Sequence, residues 1–110
     1  IFILPEATEH SDPSWFGFPI TLRSDAPFNR DDIVRHLNEN RIGTRLLFGS
    51  NLLRQPYMAG RHYRVVGELT NSNIVVDRTF WIGVYPGLGE AEITWILDTV
   101  LAFCANRGRP

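Results

Sequence analysis

The chain opens on four apolar residues, Ile1–Leu4, a strand-like run followed by a polar stretch from Pro5 to Ser14 whose proline, aspartate and serines read as a loop. Trp15 to Arg23 is aromatic and β-branched and predicts a second strand. Pro19 has no N–H for a ladder, so this strand is expected at a sheet edge. Asn29 then offers an N-cap, Asp31 and Asp32 favour the first turn of a helix, and Ile33, Val34 and Leu37 fall on one of its faces. Asn40 and Gly43 are expected to end that helix. Thr44–Phe48 predicts a short strand, and Gly49 to Thr70 is irregular and longer than an ordinary connection. Ile74–Val76 and Thr79–Val84 read as β segments. From Glu90 the residues Ile93, Ile96, Leu97, Val100, Leu101 and Cys104 follow helical spacing, with Arg107 and Gly108 at the helix end. The expected fold class is α+β, a small antiparallel sheet with two helices packed on one face.

Composition narrows this picture without overturning it. The 110 residues are enough for one domain, 1–110, and they carry eleven basic against twelve acidic residues for a net charge of −1. That balance excludes a uniformly basic nucleic-acid binder. No apolar run reaches the roughly 20 residues that span a bilayer. No basic segment precedes Ile1, so a secretory leader is not expected; the start reads as a cut within a longer, cytoplasmic protein. Every basic residue is arginine and no lysine is present, so the chain alone can supply neither a Schiff-base amine nor a P-loop lysine. One cysteine, Cys104, excludes a disulfide framework and a multi-cysteine metal site within these residues.

The charge is unevenly placed. Between Asn40 and Gly67 there are five arginines (Arg41, Arg45, Arg54, Arg61 and Arg64) and no carboxylate. Planar guanidinium groups bind phosphate or carboxylate in bidentate fashion, so an anionic ligand fits this segment. A solvated loop whose arginines pair with acids elsewhere in the fold fits it too. Gly49-Ser50-Asn51 follows the Thr44–Phe48 strand as a turn whose backbone N–H groups and hydroxyl suit an anion. His10, His36 and His62 lack metal-ligand spacing, and His36 is expected at the surface. Neither a Ser/His/Asp order nor a Gly-x-Ser-x-Gly elbow is present. Trp15, Phe16 and Phe18 read as core or as a ligand wall. No catalytic residue and no metal site is assigned within the chain.

Four blocks carry a family resemblance: Ser14-Trp15-Phe16-Gly17-Phe18-Pro19-Ile20; Arg41 to Gly49; Arg54-Gln55-Pro56-Tyr57; and Thr79-Phe80-Trp81-Ile82-Gly83-Val84-Tyr85-Pro86-Gly87-Leu88. They resemble the C-terminal small domain of the DegT/DnrJ/EryC/StrS sugar-nucleotide enzymes, which are fold-type-I pyridoxal-phosphate proteins. Within that group they are most similar to the lipopolysaccharide-biosynthesis CDP-4-keto-6-deoxyglucose 3-dehydrases. The resemblance implies a parent enzyme that uses pyridoxamine phosphate to remove the 3-hydroxyl of a nucleotide-linked 4-keto-6-deoxyhexose. It also implies an iron–sulfur cluster and a separate reductase as electron source, and leaves a homodimer open. The groups holding the cofactor and the cluster would lie in a large domain outside these residues, so the isolated chain is expected to be inactive. By the same resemblance, Arg45, Arg54 and Arg78 are expected to contact the sugar or diphosphate. Phe16 or Phe18 would pack on the ligand, and Phe48, Gly49, Ser50 and Asn51 would line the cleft. Relatives that are aminotransferases usually carry Pro-x-His where this chain has Gly49-Ser50-Asn51, which favours a dehydrase. An aminotransferase or a GDP-sugar 3-dehydratase of the same group is the alternative, and a free-standing anion or nucleic-acid binder is a third.

Overall fold

Alternation in the second strand sets the architecture. In the computed structural model, which describes residues 1–107, β1 is Phe2–Ile3 and β2 is Gly17–Leu22. Phe18, Ile20 and Leu22 take one side of β2 and join the core, while Gly17, Pro19 and Thr21 take the other. Helix α1 spans Arg30–Glu39 and strand β3 Thr44–Leu46. Two 3-10 turns follow at Leu52–Arg54 and Pro56–Met58. Helix α2 (Thr70–Arg78) runs directly into β4 (Thr79–Gly83), and α3 (Glu90–Arg107) closes the described chain. The four strands form one antiparallel sheet in the order β1-β2-β4-β3. Gly108, expected at the end of α3, lies outside the described residues.

That order corrects the expected edge position of β2, which lies inside the sheet between β1 and β4. Proline is tolerated there for a local reason. The Arg23 N–H donates to Ile1 O at 2.8 Å, so odd-numbered residues of β2 direct their backbone groups toward β1. β1 pairs only with Thr21 and Leu22, so the missing N–H of Pro19 falls beyond its end and breaks no ladder bond.

Helix α1 begins as its sequence dictates. The Asn29 side chain accepts from the Asp32 N–H at 3.0 Å, and the Asp32 carboxylate accepts from the Asn29 N–H, a reciprocal capping box. It ends in a Schellman turn earlier than Gly43. Arg41, at φ +62°, donates its N–H to Asn38 O, and Ile42 donates to Leu37 O. An arginine therefore holds the left-handed position that glycine usually takes.

The core lies between the sheet and two helices. Ile33 and Leu37 of α1 and Phe103 of α3 pack with Ile20, Leu22, Phe28, Ile42 and Phe80. The Phe103 ring meets Phe28 edge-on with centroids 4.8 Å apart and lies 4.9 Å from His36, so His36 is half-buried against an aromatic ring instead of free at the surface. Two further expectations are corrected here. Ile74–Val76 lies in α2, not in a strand. A three-residue β-branched run carries a weak preference, and α2 is tied in place by Asn73, Val76 and Asp77, which bond Asn51, Arg30 and Arg54. The apolar stripe of α3 is only half buried. Ile96, Val100 and Cys104 reach the core with Thr99 and Phe103, whereas Ile93, Leu97 and Leu101 are 48%, 55% and 63% exposed. The helix is apolar on two faces, and the large Phe103 ring decides which one turns inward.

Candidate functional site

The sheet face opposite α1 and α3 centres on Trp81. In the register, Trp81 stands across from Pro19 on β2 and from Arg45 on β3, so all three share that face. Thr21 and Thr79 bond through their hydroxyls at 2.8 Å farther along it. The indole lies across Gly17 so closely that a Cβ there would meet Cε3 at 1.6 Å. Only glycine leaves room for this ring.

Phe16, just before β2, and Phe48, just after β3, converge on Trp81. Their centroids lie 4.9 and 5.4 Å from it, and each ring is tilted by 42° and 48° respectively. The two phenyl rings are nearly parallel, 9° apart in plane and 6.5 Å apart in centroid. Together with Trp81, Arg45 and Leu46 they line one pocket. Phe16 and Phe48 are 77% and 73% exposed, and Phe48 sits in the left-handed region at φ +49°, costly for a bulky residue. Arg45 forms no ion pair among the described residues. The Trp81 indole N–H is buried and has no hydrogen-bond acceptor there. A groove of about 540 Å³ continues past Gly43 and Gly83 toward Arg41, Tyr85 and Trp95.

The structure thus brings together Arg45, Phe16 and Phe48 of the residues singled out from sequence. The others take different places. Phe18 points to the core side of the sheet and packs against Ile20's cluster. Arg54 pairs with Asp77 at 2.6 Å, as a loop arginine answered by an acid elsewhere in the fold. Ser50 donates its hydroxyl to Leu47 O at 2.5 Å, and Gly49 O accepts from the Gln55 side chain. Asn51 is buried, caps the Leu53 N–H and donates to Asn73. These groups hold the turn that presents Phe48. Arg78 ends α2, half-buried, and opens no strand. Trp81 went unselected by sequence reasoning. Strict alternation from Thr79 to Gly83, which puts Phe80 and Ile82 in the core, is the signal that assigns Trp81 to the other face. Among the described residues no group of three or more His, Cys, Asp or Glu could hold a metal, and no helix is long and apolar enough to cross a membrane.

Comparison with known proteins fits this architecture to a lineage. The chain is 58% identical over 95 residues to the lipopolysaccharide biosynthesis protein RfbH of Salmonella typhimurium, covering 86% of this chain and 22% of that protein. It is 52% identical over 104 residues to a dTDP-4-dehydro-2,6-dideoxy-D-glucose 3-dehydratase of Saccharopolyspora spinosa, covering 94% and 22%. The chain therefore spans about a fifth of the length of these relatives. Its fold matches a solved GDP-4-keto-6-deoxymannose-3-dehydratase with bound GDP-perosamine at a TM-score of 0.79, with 21% identity over 90% of this chain and 25% of that one. Residues 1–101 match the model of the DegT/DnrJ/EryC1/StrS aminotransferase family. By that match, and by its kinship to two full-length members, the chain belongs to the DegT/DnrJ/EryC1/StrS family.

Proposed function

We propose that these residues are the C-terminal small domain of a sugar-nucleotide 3-dehydrase, and that they form one wall of its substrate cleft. The reaction is loss of the 3-hydroxyl from a CDP-linked 4-keto-6-deoxyhexose, in dideoxysugar and O-antigen assembly in the cytoplasm. The observation that carries this reading is the 52% identity, over 94% of the chain, to a relative named as a nucleotide-sugar 3-dehydratase. The exposed Arg45 beside two aromatic rings supports it, because a guanidinium fork suits a diphosphate and flat rings suit a sugar or base.

Pyridoxamine phosphate would be held by the rest of such a protein, where it would supply the amine chemistry that makes the 3-hydroxyl labile. With a single cysteine, these residues do not fit a [2Fe–2S] cluster. A cluster and a reductase partner, like a homodimer, belong to the same proposal for the whole protein. The chain's own part is to bind and orient. Arg45 neutralises diphosphate charge, and Phe16, Phe48 and Trp81 exclude water from one side of the ligand.

The test is turnover by the full-length protein with pyridoxamine phosphate and a CDP-4-keto-6-deoxyhexose, followed by mass spectrometry for loss of the 3-hydroxyl. Arg45→Ala is expected to raise KM at least about tenfold with little change in kcat, since a charge-assisted hydrogen bond is worth about 1.5–3 kcal/mol. An amino sugar as product, with a Schiff-base lysine upstream, would select the aminotransferase reading. Dehydration by the isolated 110-residue chain would overturn its assignment as a small domain.

A further inference from the structure

We propose that residues 49–78 form a lid that moves against the sheet as one body, and that Arg30 is the latch holding it shut. The proposal is independent of the dehydrase reading, because it concerns the fold and its test needs no substrate.

The lid is marked by the absence of an apolar anchor. It comprises the two 3-10 turns, the wholly exposed run 59–68 and helix α2. None of its residues belongs to the hydrophobic core or to the side chains packed against that core. Asn51 is the one buried residue in it, and α2 rests beside β2 and β4 with Ile74, Val75 and Val76 only half-buried. Helix α2 is nine residues long and has no side-chain cap at its N-terminus. A helix that short is marginal in water by itself, so contacts beyond it keep it wound.

Two of those contacts are internal to the lid. Asn51 donates to Asn73 at 2.9 Å, and Arg54 pairs with Asp77 at 2.6 Å. Positions 51 and 54 lie one turn apart, as do 73 and 77, so the two bonds are rungs that join turn and helix into a unit. The ends of this unit are the left-handed turn at Phe48 and Ser50 and the loopless junction of α2 with β4.

Among the described residues, one side-chain hydrogen bond crosses from the body of the domain to the lid. Arg30, the first residue of α1, donates from Nη1 to Val76 O. Val76 lies in the last turn of α2, where carbonyls lack helical partners and the helix dipole favours a cation. Its neighbour Asp31 aims the guanidinium: Nε and Nη2 both donate to Asp31 Oδ1, at 3.0 and 2.8 Å. The Arg30 side chain is 16% exposed, so water competes poorly for it. A lid with an apolar anchor would stay shut until the domain unfolded. One fastened by a single charge-assisted bond opens far more readily, as moving segments must. The lid starts directly after Phe48, so its motion carries that ring toward or away from Trp81.

The experiment is hydrogen exchange of the full-length protein read by mass spectrometry, which follows opening segment by segment. In the wild type, amides of residues 51–58 and 70–78 are expected to exchange together, and faster than those of β2 and α3. Arg30→Ala should speed exchange in both parts of the lid roughly 10- to 150-fold, the loss of one hydrogen bond to a charged group, and leave β2 and α3 unchanged. Arg30→Lys keeps the charge and should fall between the two. Asp31→Asn keeps the guanidinium but weakens its aim, and should speed the lid by less than Arg30→Ala. Arg23→Ala, which breaks an ion pair with Asp25 outside the lid, should change nothing there. The latch is refuted if Arg30→Ala leaves the lid's exchange unaltered, or speeds α2 alone while sparing residues 51–58. Faster exchange across β2 and α3 as well would equally overturn it, since Arg30 would then support the whole fold. Should Arg30→Ala not fold, Arg30→Lys and Asp31→Asn make the same comparison.

Discussion

Cys104 shows how much of a residue's character comes from its surroundings. Burial on the core side of α3 pushes its thiol up. The thiol therefore ionises at lower pH in the unfolded chain than in the folded one. Its contribution to stability is whole at neutral pH and fades as pH rises through the folded thiol's range. Between about pH 7 and 10 the thermal midpoint of the wild type should fall more than that of Cys104→Ala, as followed by circular dichroism. Asn51 makes the same point in reverse. In sequence it is a small polar residue after a strand, equally suited to greet an anion or to brace a turn. In the fold it is buried and bonds Leu53 and Asn73, bracing the turn.

At the scale of elements, local chemistry was legible wherever a motif is self-contained. The Asn29 cap with Asp32 three residues on, the β2 and β4 alternations and the extent of α3 all follow from neighbours in sequence. What resisted reading depends on distant residues. The Ile74–Val76 run became helical because Asn51, Arg30 and Arg54 hold α2 from across the fold. The inward face of α3 was settled by the Phe28–Phe103 contact, which no periodicity reveals. Two measurements follow. Phe103→Ala should cost about 3–5 kcal/mol of unfolding free energy, whereas Leu97→Gln on the exposed face should stay within about 0.5 kcal/mol in denaturant titrations of the 110-residue chain. Arg41→Gly, at the left-handed cap of α1, should raise stability by up to about 1 kcal/mol, seen as a higher denaturation midpoint with an unchanged slope.

The whole molecule is more open than its length requires. Its radius of gyration is 16.2 Å, against about 13 Å for a compact chain of this size. The exposed side of α3 and the Trp81 face are both apolar surfaces of a chain a fifth as long as its relatives. The candidate site was legible in sequence as a cluster of types, arginine beside aromatics, but not as a place. Strand register brought Arg45 to Trp81, and no spacing in the chain places Phe16 and Phe48, thirty-two positions apart, on either side of one ring.

The indole lying across Gly17 ties the history of two positions together. Residue 17 cannot grow while residue 81 remains tryptophan, and a chain that shrinks residue 81 first loses the floor beneath both phenylalanines. The two sites should therefore change as a pair or not at all. A double-mutant cycle makes this measurable: Gly17→Ala alone should cost about 1–3 kcal/mol through overpacking, and far less in a Trp81→Leu background. Among diverging descendants of this chain, a side chain at position 17 would announce that the indole had already been lost.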